Sequence, residues 1–412
     1  MLGVLRNRTY ARLFSAQVIA LIGTGLLTVA LGLLAFDIAG GDAGAVLGVA
    51  MAIKMIAYVA IAPIISALFV RLPRKPVLIG ADLVRAGIAV MLPFVTDAWQ
   101  IYILIFVLQS ASATFTPTFQ ALIPSVLPDE RDYTRALSLS RLAYDLESLL
   151  SPMLAAALLL FISYHNLFLG TVLGFLISAS LVSTAVLGPV GPVDTTAGFT
   201  ERLTRGIRAF RCVPELRGLM GLNLVVAMAT SMVIVNTVEI VRAQLGGGQA
   251  EVALLLGAYG AGSMVVALGL PRVLDGVPDR RVMLTGGAVV PVALLAVPAA
   301  LTLAQGRMQW VILTVLWILL GAATSMVLTP SARLLRRNSD QDSRPAVFAA
   351  QFSLSHLCFL LGYPLAGTFG AVVGLPAIAV LLSVIAGTGV IVTAREWRVP
   401  APVATPSPTD SA

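Results

Sequence analysis

The chain has 412 residues, 58% of them hydrophobic and only 11% charged, with a formal net charge of +7. A soluble domain of this size carries about a quarter charged residues, so the composition excludes a soluble globular protein, as does the mean hydropathy of +0.94. Nucleic-acid binding is not implied by the basic excess, because basic residues also collect on the cytoplasmic side of membrane proteins.

A helix needs about 20 apolar residues to cross a bilayer. Twelve runs qualify, at 11–36, 44–70, 77–96, 99–122, 137–162, 166–188, 216–242, 250–270, 282–304, 308–331, 346–369 and 373–394. Helices are expected because they satisfy their own backbone groups in lipid. Arg6, Arg8 and Arg12 precede the first run. That run is too long for a cleaved signal peptide and is read as span 1. It carries Gln17, a polar side chain at membrane depth.

Span 2 contains the stretch "GVAMAIKMIAYVA" (48–60), with Lys54 ten residues beyond Gly44. At 1.5 Å per residue it lies roughly 15 Å deep, about half the hydrocarbon thickness. A charge there costs about 2.5–3.5 kcal/mol, so it needs a partner or water. Arg71, Arg74 and Lys75 follow the span. Asp82 and Arg85 open span 3, three residues apart on one helical face, and are expected to pair near the inner gate. Gln109 sits in span 4. Arg131, Arg135 and Arg141 lead into span 5, where Asp145 and Glu147 reach the depth of Lys54. Arg141 can pair with Asp145 four residues on. Glu147 has no basic residue three or four positions away, so it is the first expected counter-charge for Lys54 and Asp145 the second.

Residues 189–215 form a long linker between residues 1–188 and 216–395. Within it, "GFTERLTRGIRAFR" (198–211) aligns Phe199, Leu203, Ile207 and Phe210 beside arginines, the pattern of an amphipathic helix on a membrane surface. Span 7 carries Asn223 and, toward the outer edge, Glu239, which can pair with Arg242 or line an exit path. Span 11 carries Gln351, His356 and Cys358. His356 and Cys358 are two apart and point in different directions, so they are not a natural chelating pair. Cys212 and Cys358 imply no disulfide framework. The end of the chain, 396–412, is rich in proline and polar residues and is expected to be disordered. Apart from Arg242 and Arg307 and the intramembrane Lys54 and Arg85, the basic residues lie on one side of the spans. Both termini are therefore expected in the cytoplasm and the span count to be even.

Shifting the chain by 206 residues lays "YARLFSAQVIA" (10–20) over "LRGLMGLNLVV" (216–226), with Gln17 over Asn223 and Arg74-Lys75 over Arg280-Arg281. Two pseudo-symmetric six-helix halves are the plan of major facilitator superfamily transporters. "SALFVRLPRKPVL" (66–78) resembles that superfamily's signature after span 2 through Leu68, Arg71, Arg74, Lys75 and Leu78. It departs from the signature at Ser66, Val70 and Pro73. Val70 replaces the aspartate that the resemblance would assign to an inner-gate latch. "ADLVRAG" (81–87), "LPDERDYTRALSLSRL" (127–142) and "LLSPMLAAAL" (149–158) resemble twelve-span drug:proton antiporters and enterobactin-exporter-like proteins. The superfamily's buried arginine in span 4 is missing from "IYILIFVLQSASATF" (101–115). "RNRTYARLFSAQVIALIGTG" (6–25) and "LSLSRLAYDLESLLSP" (137–152) are similar to nickel-resistance exporters.

The resemblance implies an all-α membrane protein, a twelve-helix exporter of amphipathic drugs or siderophore-like compounds in a bacterial inner membrane. It works by alternating access and exchanges protons for substrate. Lys54, Asp145, Glu147 and Glu239 are the coupling candidates. Arg71, Arg74, Lys75, Asp82 and Arg85 are expected at the inner gate, and Gln17, Gln109, Asn223 and Gln351 at the substrate. Lys54 and its carboxylate can equally be a static clip between helices. Nickel or cobalt export, with His356 on the path, is the alternative; a non-transporting sensor on the same fold is a third. No nucleotide loop, nucleophile elbow, zinc spacing or dinucleotide fingerprint occurs. No cofactor, no enzymatic activity and no nucleic-acid partner are expected, only lipid, protons and a small-molecule or metal-ion substrate, with the chain a monomer.

Overall fold

A computed structural model describes residues 2–39, 43–68, 72–187 and 199–398. Arg71 and Val70, residues 189–198 of the linker and residues 399–412 of the tail lie outside the described residues. Among the described residues all regular secondary structure is helical. The helices are α1 (Arg8–Ala39), α2 (Ala43–Leu68), α3 (Arg74–Met91), α4 (Ala98–Val126), α5 (Glu130–Leu159), α6 (Tyr164–Thr184), α7 (Phe199–Cys212), α8 (Pro214–Glu239), α9 (Gln249–Leu274), α10 (Asp279–Thr302), α11 (Gly306–Arg337), α12 (Arg344–Pro364), α13 (Gly370–Val373) and α14 (Leu375–Glu396).

Eleven helices among the described residues are long and apolar enough to cross a membrane. The sequence expectation was twelve spans, and the difference is α5. It has 30 residues, ample length, but carries Arg131, Asp132, Arg135, Arg141, Asp145 and Glu147. Its position explains the polarity, because it packs on α1, α9 and α11 rather than standing apart.

The long helices gather in two groups. In the first, α1 packs on α6, α3 on α4 and α6, and α2 on α4; in the second, α8 packs on α14, α9 on α11, and α10 on α11 and α14. Glycine sets the α1–α6 and α8–α14 crossings. A Cβ at Gly174 would lie 3.2 Å from Gly23 Cα, and one at Gly221 would lie 2.5 Å from the Gly389 carbonyl oxygen. Small residues let backbones approach closely in membrane bundles. Each crossing is pinned by a threonine: Thr171 donates to the Gly23 carbonyl (2.9 Å) and Thr393 to that of Gly218 (2.7 Å).

Both described ends of the chain meet at one end of the bundle. There Asn7 reaches the carbonyl of Val126 (3.5 Å), and the Trp397 indole donates to that of Glu215 (3.1 Å). This end also holds Arg74, Lys75, Arg131, Arg280, Arg333, Arg336 and Arg337 and is called the arginine-rich end below. Helix α7 lies there against α2, α8 and α12. The sequence expects it flat on lipid, yet Phe210 is only 3% exposed and belongs to the core of the second group. Gly206 permits the approach, since a Cβ there would meet the Ala346 carbonyl oxygen on α12.

Candidate functional site

The two helix groups meet through α2 against α12 and α5 against α9 and α11. Near the arginine-rich end the Tyr133 hydroxyl donates to the Ala332 carbonyl (3.2 Å). Arg333 on α11 pairs with Glu130 (2.6 Å) and donates to Thr134 (3.0 Å), both at the start of α5. Arg336 donates to the Pro128 carbonyl, and Arg131 approaches Asp275 (3.5 Å). Ser353 on α12 donates to the Val59 carbonyl of α2. Higher up, Arg141 donates to Ser263 (3.0 Å).

Above this floor the groups enclose a cavity of about 390 Å³. A bundle interior of this size is in the range of small-molecule sites. The first group contributes Gln17, Tyr58, Gln120, Ser140, Arg141 and Tyr144 to its wall; the second contributes Asn223, Thr329, Gln351, Phe352, His356 and Phe359. The amides are positioned by their own bonds. Asn223 Nδ2 donates to Gln351 Oε1 (3.0 Å) while Gln351 Nε2 returns a bond to Asn223 Oδ1 (2.9 Å). Ser140 donates to Gln17 Oε1 (3.0 Å). Gln109 is not in the wall; it stands behind it and accepts the Tyr58 hydroxyl (3.1 Å).

The one charged side chain among the described residues of this wall, Arg141, is neutralised by a neighbour, and the other charged candidates lie outside the wall. Arg141 is paired with Asp145 at 2.8 Å, one turn along α5. Lys54 lies one turn from Tyr58, away from the arginine-rich end, with its ammonium 5.6 Å from the Tyr58 ring centroid. Glu147 lies almost one turn from Tyr144 in the same direction and interacts electrostatically with Lys54. Neither member of the pair is part of the cavity wall. A glycine clears space for the pair: a Cβ at Gly25 on α1 would fall 2.0 Å from Ser151 Oγ and 3.1 Å from Glu147 Oε1.

Asp82 and Arg85 lie outside the cavity. They form an ion pair within the first group, and Asp82 also accepts from Ser178 on α6 (2.8 Å). The Arg85 guanidinium is sandwiched between the rings of Phe115 (4.4 Å) and Phe175 (4.5 Å). Arg74 and Lys75 bond within their own group, donating to the carbonyls of Ala121 inside α4 (3.2 Å) and of Ala185 at the end of α6 (2.9 Å). The joint between the groups is made by Arg333, Arg336 and Arg131 instead. Glu239 is exposed at the far end, apart from the cavity, and makes no ion pair with Arg242 among the described residues. Among the described residues no three His, Cys, Asp or Glu side chains converge as a metal site.

Sequence reasoning missed the aromatic part of the wall. Phe352, His356, Phe359 and Tyr363 recur at helical spacing along one face of α12, a signal present in the sequence. Tyr58 joins them from α2, 4.9 Å from Phe352 and 4.7 Å from His356. No spacing rule connects residue 58 with residue 352, so that contact was not legible.

Comparisons with known proteins agree with this architecture. The macrolide efflux protein A of Streptococcus pyogenes is 25% identical over 220 residues, covering 52% of this chain and 53% of that protein. Its namesake in Enterococcus faecalis is 26% identical over 191 residues, 43% of this chain and 58% of that one. The chain thus spans a little over half the length of the curated relatives it matches. Among solved structures, the human organic anion transporter MFSD10 (TETRAN) superposes with a TM-score of 0.78 at 14% identity, covering 94% of this chain and 99% of that one. The Escherichia coli fucose:proton symporter FucP gives a TM-score of 0.71, also at 14% identity, over 94% and 98%. At such identities these structures share the fold. The family model of the Major Facilitator Superfamily matches residues 13–235 and again 219–411, and the chain belongs to that superfamily of multi-pass membrane transporters.

Proposed function

We propose that this protein is a secondary exporter of amphipathic, drug-like molecules, moving them by alternating access in exchange for protons. One observation carries the reading: a cavity between two helix groups, walled by amides, hydroxyls and rings, whose one charged lining residue, Arg141, is paired with Asp145. Such a wall suits an uncharged or weakly polar solute. The likeness to macrolide efflux proteins points the same way.

In this reading α5 completes twelve membrane spans, α1–α6 and α8–α14 being two halves joined by the linker that contains α7. The arginine-rich end faces the cytoplasm of a bacterium, in line with the placement of basic residues, and both termini lie there. The contacts of Arg333, Arg336 and Tyr133 close the cytoplasmic side. Lys54 and Glu147 form the coupling pair: a proton entering from outside neutralises the carboxylate as substrate leaves, and its release inward restores substrate affinity.

The test is expression in a strain lacking its own efflux pumps, challenged with macrolides, unrelated amphipathic drugs, nickel and cobalt. Resistance to one or more of the organic compounds, abolished when the proton gradient is collapsed, is the expected result. Resistance to nickel alone would overturn the drug reading. Proteoliposomes that move none of these solutes under a pH gradient would leave a non-transporting role.

A further inference from the structure

The cavity wall contains one side chain whose hydrogen-bonding state the geometry fixes and leaves open on one side. His356 lies on α12 at the centre of a ring cluster. Phe352 stands 4.3 Å from it, Tyr58 4.7 Å and Phe359 5.9 Å, centroid to centroid, with the Tyr58 ring edge-on at 87°. These contacts lock the imidazole plane. Its Nδ1 lies 2.7 Å from the Phe352 carbonyl oxygen. A carbonyl can only accept, so Nδ1 carries the proton, and in the neutral ring Nε2 presents a lone pair. Among the described residues no hydrogen bond is made to Nε2, and His356 lines the cavity.

Several of the neighbouring polar groups are committed to one another, although the buried Thr329 hydroxyl in the same wall has no partner among the described residues. Asn223 and Gln351 exchange two bonds, Ser140 occupies Gln17 Oε1, and the Tyr58 hydroxyl proton goes to Gln109. Nε2 is therefore a poised acceptor in a setting of aromatic faces. Rings stacked or edge-on at these distances favour a further flat ring, and an acceptor at the edge of such a slot selects a molecule with a matching donor.

We infer that His356 is the specificity-determining residue of this cavity, selecting uncharged molecules with a planar aromatic ring that bears an O–H or N–H donor. The inference rests on the exporter reading, because it names the substrate chemistry of the same cavity. Capping the donor with a methyl group removes the hydrogen bond and leaves the ring. A neutral hydrogen bond of this kind is worth a discrimination of roughly 3- to 10-fold.

The probes are 2-naphthol and 2-methoxynaphthalene, which share a ring and differ only in the donor. Their binding to the purified full chain in detergent, at neutral pH, is measured by equilibrium dialysis against empty micelles. The wild type should prefer 2-naphthol by about 3- to 10-fold. His356→Phe keeps a ring but no acceptor and should bring the ratio to about one while both probes still bind. His356→Gln restores an amide oxygen and should recover part of the preference. Phe359→Leu should weaken both probes alike and leave the ratio unchanged. A wild type that binds neither probe or shows no preference, or a preference that survives His356→Phe, overturns the inference. If drug resistance is nevertheless observed in cells, the exporter reading stands and only this assignment falls. If resistance is absent but the preference is present and lost in His356→Phe, the assignment stands as a binding site and the exporter reading falls.

Discussion

At the scale of single residues the deciding group is Lys54. It is one of two lysines in a chain whose other basic residues are arginines, and it interacts with Glu147 one turn beyond the cavity-lining Tyr58. Lysine can lose its proton in a buried setting, whereas arginine cannot. Lys54→Arg keeps the charge and removes that option. In proteoliposomes the variant should lose pH-gradient-driven uptake to near background while retaining equilibrium exchange of substrate. Wild-type accumulation in Lys54→Arg would assign the pair to holding helices together. The sequence identified both residues, because depth in a helix follows from rise per residue alone. It could not rank Gly25, whose missing side chain makes room for Glu147, since that space is created by the crossing of two helices far apart in the chain.

Among helices, the buried pair of Asp82 and Arg85 shows how polar side chains hold spans together. Asp82 on α3 takes Ser178 of α6, and Arg85 lies between Phe115 of α4 and Phe175 of α6. The side chains are 0% and 6% exposed. Removing one member of such a pair strands the other, at a cost of about 3–5 kcal/mol. Arg85→Leu should lower the unfolding midpoint in detergent markedly, and Asp82→Leu with Arg85→Leu should recover much of the loss because two apolar residues then replace the pair. A double variant as unstable as the single one would show that the polar contacts to Ser178 and the rings matter more than the charge left behind. The i,i+3 spacing made the pair legible from sequence. Its location was not: the sequence suggested an inner gate, but the aromatic slot around Arg85 lies inside one helix group.

For the whole molecule, the floor beneath the cavity is what one group of helices offers the other. Arg333 is its centre, reaching Glu130 and Thr134 across the joint and Asp279 in its own group (3.3 Å). Glu130 is exposed, so that ion pair contributes little, whereas the bond to buried Thr134 contributes more. Arg333→Ala should shift the protein toward the state open at the arginine-rich end by about 3- to 10-fold. The readout is the labelling rate of a cysteine placed at Gln120 in the cavity, with Cys212 and Cys358 replaced by serine, using an impermeant thiol reagent in inside-out vesicles. An unchanged rate would remove Arg333 from the gate. The overall fold was readable, since apolar runs of membrane-spanning length mark the long helices. The joint between the groups was not, because Arg333 and Arg336 look like ordinary loop arginines until the helices are assembled.

Helix α5 carries a consequence for how the protein is made. Its charges serve the joint and the interaction with Lys54 once its neighbours are in place, but they make it a poor candidate to leave the translocation machinery for lipid by itself. If α5 crosses the membrane as proposed, it would have to be received by protein: α1 is already present, whereas α9 and α11 are synthesised later. On the twelve-span proposal, the order of synthesis would leave α5 half-sheltered until α9 and α11 emerge, so its insertion is expected to need the contact between the two helix groups.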